Sequence, residues 1–155
     1  MSEDLMFDEY GFGYNENDQS FERWGNIVRT DHDYDGDFLI RIVTHKLGLM
    51  RDYFIRISEK YPDEKKIGND KDIFKVISAI DNAYQLGKKI LTFNYGEEAD
   101  KIFEEKGEPR WLIESSEEED YKEWSRLSEE ATENRRKDIE KFFRNIGKHI
   151  DDWWR

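Results

Sequence analysis

The sequence predicts an all-α protein, a small helical bundle behind an irregular acidic N-terminal arm. Three observations lead there. Apolar residues recur at three- and four-residue steps in the segments of about 37–60, 70–91 and 116–154, the period of one helix face. The only two prolines, Pro62 and Pro109, fall between those segments. Phe, Trp and Tyr make up 15% of the 155 residues, which compensates for a hydrophobic content of only 36%, because each ring buries roughly 150–250 Å². This length matches one domain that needs no disulfide or metal staple.

Residues 1–19 mix acids with Phe7, Tyr10, Phe12 and Tyr14 and show no helical period, so they are expected to be irregular, either disordered or docked on the bundle or a partner. Phe21, Trp24 and Ile27 or Val28 suit a short helix over 20–30, with Gly25 weakening it and a strand as the alternative. The domain division expected is an arm, 1–30, and a bundle, 31–155.

The strongest element is the helix of 37–60, striped by Leu39, Ile42 or Val43, Leu47, Met50, Phe54 and Ile57. Asp31, Asp33, Asp35 and Asp37 stand at its start, where carboxylates oppose the helix dipole, and Pro62 ends it. A polar loop, 65–70, leads to a second helix striped by Ile73, Ile77, Ile80, Tyr84 and Ile90 or Leu91; so short a loop makes the two antiparallel neighbours. A weaker helix follows over 97–106, and residues 110–113 suit a short extended piece. Ser115 and Ser116 before Glu117, Glu118 and Glu119 signal the last helix start. Its stripe is Tyr121, Trp124, Leu127 and Ala131, then Ile139, Phe142 or Phe143, Ile146, Ile150 and Trp153. Thr132 to Asp138 contains no apolar residue, so this is one helix with a solvated waist or two helices broken near Asn134.

Charge excludes some functions. Residues 1–37 hold eleven acids and two bases (−9), residues 38–110 thirteen and fourteen (+1), and residues 111–155 thirteen and nine (−4), giving −12 overall. So negative a front end disfavours binding to phosphate backbones and membrane surfaces. The absence of cysteine removes disulfides, thiolate metal sites and cysteine nucleophiles. With no signal-peptide pattern and no run of about 18 apolar residues, a cytoplasmic location is expected.

Few residues suggest chemistry. Asp31, Asp33, Asp35 and Gly36 match the first half of a calcium loop, but the twelfth position, normally glutamate, is Ile42. Helix capping is the simpler reading of these acids, and no cofactor is expected. Asp120 with Glu123, and Glu130 with Glu133, have the spacing of Mg²⁺ ligands in helical phosphohydrolases, yet both pairs sit beside basic residues that make an ordinary solvated face. His32, His45 and His149 show no catalytic ordering. Trp153 and Trp154 are adjacent and cannot both face a core, which leaves Trp154 either resting on the surface or anchoring an interface.

The stretch Asp31-His32-Asp33-Tyr34, the pair Lys46-Leu47, the run Met50-Arg51-Asp52-Tyr53-Phe54, the helix around Ile80–Leu86 and the ending Phe142-Phe143-Arg144 to Trp153-Trp154 resemble a group of small uncharacterised proteins of tailed bacteriophages. The resemblance covers about residues 30–155. It implies a product acting in the host cytoplasm and carries over no functional residue.

The expected function is therefore non-catalytic binding or inhibition of a host, defence or phage protein. Tyr10, Phe12, Tyr14, Asp31, Asp33, Asp35 and Trp154 are the candidate interface, and a long helix with a polar waist leaves room for a homodimer. One alternative is a helical oligomer that sequesters a small nucleotide signal between Arg41, Arg51, Arg56, Lys88 and Lys89. The other is the Mg²⁺-dependent phosphohydrolase.

Overall fold

The computed structural model describes residues 6–7, 13–14, 20–29, 36–63, 66–67, 71–104 and 119–153. Among them the chain forms α1 (Ser20–Val28), α2 (Asp37–Lys60), α3 (Ile73–Leu91), α4 (Glu97–Glu104) and α5 (Glu119–His149), with 3₁₀ turns at Asn94–Gly96 and Ile150–Asp152. The protein is all-α, as the periodicity predicts. Two antiparallel ladders accompany the helices: β1 (Met6–Phe7) with β2 (Gly13–Tyr14), and β3 (Lys66–Ile67) with β4 (Lys71–Asp72). At two residues a strand, they fall below an ordinary strand's length and leave the fold class unchanged. They do add order to two stretches expected to be irregular.

The chain divides into two compact units, Met1–Phe38 and Leu39–Arg155, where the sequence suggests a division at 30/31. In the first unit α1 takes the helical alternative, with Trp24 and Ile27 half-buried and Val28 exposed.

In the second unit α2, α3 and α5 enclose the core. Arg51 of α2 meets Asp81 of α3, and Thr44 of α2 lies against Gly87 of α3, so the numbering rises along one helix as it falls along the other. Lys89 meets Asp138 and Gly87 meets Phe142, so α5 is antiparallel to α3 as well. The core comprises Ile40, Leu47 and Phe54 from α2, Ile73, Val76, Ile80, Ala83 and Ile90 from α3, Phe142 from α5, and Trp153.

Two stripes differ in phase from expectation. Leu39 is 63% exposed while Ile40 is 4% exposed, because Ile40, Leu47 and Phe54 share a face at seven-residue spacing and Leu39 lies about 100° away. On α3 the buried face runs Ile73, Val76, Ile80, Ala83, Gly87, Ile90, with Ile77 and Tyr84 at its edges. The small residues Ala83 and Gly87 occupy the centre of the contact, where backbones approach most closely, and the larger ones flank it.

Asp72 sets the start of α3: its Oδ1 accepts hydrogen bonds from the backbone N–H groups of Phe74 (2.9 Å) and Lys75 (3.2 Å). The helix stops at Phe93, which has φ 55°, the left-handed conformation more often supplied by glycine at a helix end.

Helix α5 is continuous for 31 residues, about 46 Å, and α3 with 19 residues is about 28 Å long. The remainder of α5 lies beside the 3₁₀ turn at Asn94–Gly96 and α4, so α3 and α4 follow one another along a single long helix. Residues 105–118 lie outside the described residues, and with them the expected extended piece at 110–113 and the serine start signal.

Gly87 has no room for a side chain. A Cβ there would lie 2.1 Å from Thr44 Oγ1 and 2.9 Å from Phe142 Cε2, whereas one at Gly147 would have nothing within 4 Å. Replacing a mid-helix glycine by alanine ordinarily gains about 0.5–1 kcal/mol, while overpacking costs about 1–3 kcal/mol. Urea unfolding should therefore show Gly87→Ala lowering the midpoint and Gly147→Ala raising it.

Candidate functional site

Helix α5 meets α3, α4 and both 3₁₀ turns, and its faces differ in chemistry. Its inner stripe is not interrupted at the polar waist. Arg135 and Asp138 continue the three- and four-residue steps between Ala131 and Phe142, and they meet the junction of α3 and α4. Asp138 Oδ2 accepts hydrogen bonds from Lys89 Nζ (2.7 Å) and from the Tyr95 hydroxyl (2.6 Å). The Arg135 guanidinium stacks 4.9 Å from the Phe93 ring. The waist is thus solvated on its outer side and matched on its inner side to the polar ends of two helices, and of the two alternatives the structure takes the single continuous helix.

These contacts displace both titrations. Burial resists ionisation of Asp138, but the hydrogen bonds from Lys89 and Tyr95 and the charges of Lys89 and Lys141 outweigh it and hold the carboxyl below the usual aspartate value. Burial, then the hydrogen bond to Asp138 and its charge, push the Tyr95 phenol above the usual tyrosine value against the charge of Arg135.

The outer face of α5 changes character along its length. From Glu123 to Glu140 it is a ladder of ion pairs: Arg126 bridges Glu123 (2.6 Å) and Glu130 (3.1 Å), and Arg136 bridges Glu133 (2.8 Å) and Glu140. The Arg126 hydrogen bond holds Glu123 below the usual carboxylate range, and Arg136 does the same for Glu133. Beyond Glu140 the same face carries Phe143, Gly147 and Ile150. Phe143 is 43% and Ile150 54% exposed, and the space above Gly147 is open. Phe142, one residue before, is fully buried and meets the Phe143 ring edge-on at 5.2 Å. Residues 141–148 contain Lys141, Arg144 and Lys148 and no acid. Together they form an outward apolar stripe with a central notch, bordered by these three bases and, beside Ile150, by the exposed Asp151.

The five bases expected around a nucleotide divide among several partners. Arg51 binds Asp52 (3.1 Å) and Asp81 (3.2 Å) and lies 4.4 Å over the Tyr84 ring, with Lys88 5.3 Å from the same ring. Lys89 turns instead to Asp138, Arg56 is exposed and Arg41 is half-buried. Tyr14 is placed only as the last residue of β2, and Tyr10, Phe12, Asp31, Asp33, Asp35 and Trp154 lie outside the described residues. Trp153 is 5% exposed and belongs to the core. Among the described residues no three His, Asp or Glu side chains gather into a set that could hold a metal ion, and no helix is long and apolar enough to cross a membrane.

Sequence reasoning missed Phe93, Tyr95, Arg135 and Asp138, and it assigned Ile150 to the inner stripe, where the structure instead leaves it 54% exposed; of Phe142 and Phe143 it is Phe142 that turns inward. The spacing did contain the signal, since Arg135 and Asp138 stand in register with the inner stripe, and Phe143 and Ile150 are seven residues apart on another.

The pH dependence of stability follows from the two shifts. Asp138 has a lowered folded value, so its contribution is present above the unfolded value of about 3.9 and is lost as pH falls through the folded one. The neutral Tyr95 phenol contributes below about pH 10, and that contribution is lost as pH rises through its folded value. Asp138→Asn should cost about 1 kcal/mol at neutral pH, and denaturation followed from pH 7 to 2 should show a smaller acid loss than in the wild type. A difference titration of wild type against Tyr95→Phe at 295 nm should show Tyr95 ionising above pH ~10.

The chain matches no protein-family model, no curated protein and no solved structure.

Proposed function

We propose that the chain is a non-catalytic binding protein, a phage-type accessory protein that acts by occupying a protein partner in the host cytoplasm. The observation that carries this is the outward stripe on α5. Phe143, Gly147 and Ile150 lie at helical spacing on a face that the bundle's own core does not use. Steps of four and three residues are the pattern by which a helix seats against another helix, and the open space over Gly147 accepts a side chain from it. Burying an apolar side chain of this size is worth about 1.5–3 kcal/mol, so two such side chains can dominate a small interface. The acidic, aromatic-bearing residues 1–37 add a second means of contact, presenting carboxylates where a partner holds phosphates.

The phosphohydrolase alternative loses ground because three of the four carboxylates named for it, Glu123, Glu130 and Glu133, are engaged by Arg126 and Arg136. The sequestering pocket loses ground because Arg51 and Lys89 are already bound to Asp81 and Asp138.

Phe143→Asp with Ile150→Asp tests the proposal. Both residues are exposed, so the fold should lose no more than about 0.5 kcal/mol by urea unfolding. Affinity capture from a lysate of the producing cells should retain a protein on the wild type and lose it on the double variant. Retention of the same proteins by both, or Mg²⁺-dependent nucleotide turnover abolished by Glu123→Gln, would remove the proposal; sedimentation of the pure chain tells a second copy from a foreign partner.

A further inference from the structure

Near the end of the bundle where α3 begins and α5 finishes, the two helices border an open groove of about 440 Å³. Phe74, Lys75, Ser78 and Asn82 line it from α3, and Asn145 and His149 from α5. The partner helix α2 lies on a different flank of α3, where Asp81 and Tyr84 meet Arg51. The groove is separate from the outward stripe of α5, so either can fail without the other.

Its chemistry is unusual for this protein. In a chain with 37 acids, no carboxylate lines the groove, and every polar side chain that does can donate a hydrogen bond. Among the described residues the side chains of Lys75, Ser78, Asn82 and Asn145 take part in no hydrogen bond or ion pair, whereas Arg51, Lys89, Arg126 and Arg136 each bind a carboxylate. The His149 ring is held by its stack on Trp153, 6.3 Å between centroids at 17°, and its Nδ1 lies 4.0 Å from Asp152. Phe74 presents a ring that is 61% exposed.

We propose that this groove binds a single nucleotide. The base rests against Phe74, the side-chain amides of Asn82 and Asn145 pair with its edge, and the phosphate is held by Lys75 and His149 with the Ser78 hydroxyl. Each part of the ligand is required by a part of the lining. An exposed aromatic ring favours a flat π-surface, which every base has. A side-chain amide offers both a donor and an acceptor, the mixture that a base edge presents and that a fatty or simple aromatic acid lacks. The Lys75 ammonium selects the phosphate, with the Ser78 hydroxyl and the His149 ring as further hydrogen-bond donors. The volume lies within the roughly 300–1,000 Å³ of small-ligand sites. The net charge of −12 opposes anions at long range, but screening over about 8 Å at physiological salt confines that repulsion, and it weighs far more on a polynucleotide than on one nucleotide.

Calorimetry of the full chain in about 0.15 M salt, against AMP, GMP, CMP and UMP and against inorganic phosphate and benzoate, tests the proposal. At least one nucleotide should bind, with phosphate and benzoate each weaker by about tenfold or more. Lys75→Glu, Asn82→Ala and Asn145→Ala lie outside the core and should each weaken the nucleotide by about tenfold while leaving the circular dichroism unchanged. The proposal is overturned by the absence of heat with all four nucleotides at millimolar concentration. Phosphate or benzoate binding as tightly as the nucleotides, or full affinity in all three variants, overturns it equally.

Discussion

The arrangement of the helical unit depends on one close approach. At Gly87 the missing side chain lets Thr44 of α2 and Phe142 of α5 enter the same space against α3. Phe142 is fully buried there, and Thr44, although polar, is only 5% exposed. The Thr44 hydroxyl has no hydrogen-bond partner among the described residues, so close packing and not polar pairing holds this point. Once α3 is fixed between its neighbours at Gly87, the antiparallel register of the other two follows residue by residue.

That register explains why α5 carries charge on its inner face. Counting back from Phe142, Asp138 and Arg135 arrive where α3 has ended and the Asn94–Gly96 turn begins. A helix end exposes carbonyls and changes the chain's direction, so an apolar rung would find little to pack against. Asp138 gathers Lys89 from the last turn of α3 and Tyr95 from the following turn, while Arg135 covers Phe93. The left-handed backbone at Phe93, a cost on the order of 1–2 kcal/mol, is held in place by what surrounds it.

Much of this is legible in the sequence, and the failures have identifiable physical causes. Periodicity locates α2, α3 and α5 because an apolar stripe sustained over many turns at three- and four-residue steps can be buried on one side only by a helix. It errs on Leu39 because Phe38, Leu39 and Ile40 are consecutive apolar residues, and only the packing decides which of them turns inward. Val76, Ala83 and Gly87 escape a reading by hydrophobicity for the opposite reason: Ile77 and Tyr84 are larger, but they stand at the edges of a close contact whose centre needs small residues. The choice between one helix and two over 116–154 stays open in the sequence because charge reads as a sign of solvent, which fails on the side where the facing surface is itself polar. Of the functional surface, the basic residues are visible as a set but their assignment to separate partners is not, since Asp81 and Asp138 lie 30 and 49 residues from the bases they bind.

The series arrangement of α3 and α4 along one long helix has a consequence for how the protein opens. In α3 the core residues run from Ile73 to Ile90, whereas the eight residues of α4 contribute Ala99 as their fully buried side chain among those described. Apolar burial sets the free energy of local opening, so the two helices share a track and not a stability. Amide exchange along α5 should accordingly be graded, slow where α3 covers it and faster toward Glu119. The polar junction at Asp138 marks the boundary between the part of α5 covered by the main core and the part covered by the thinly buried α4.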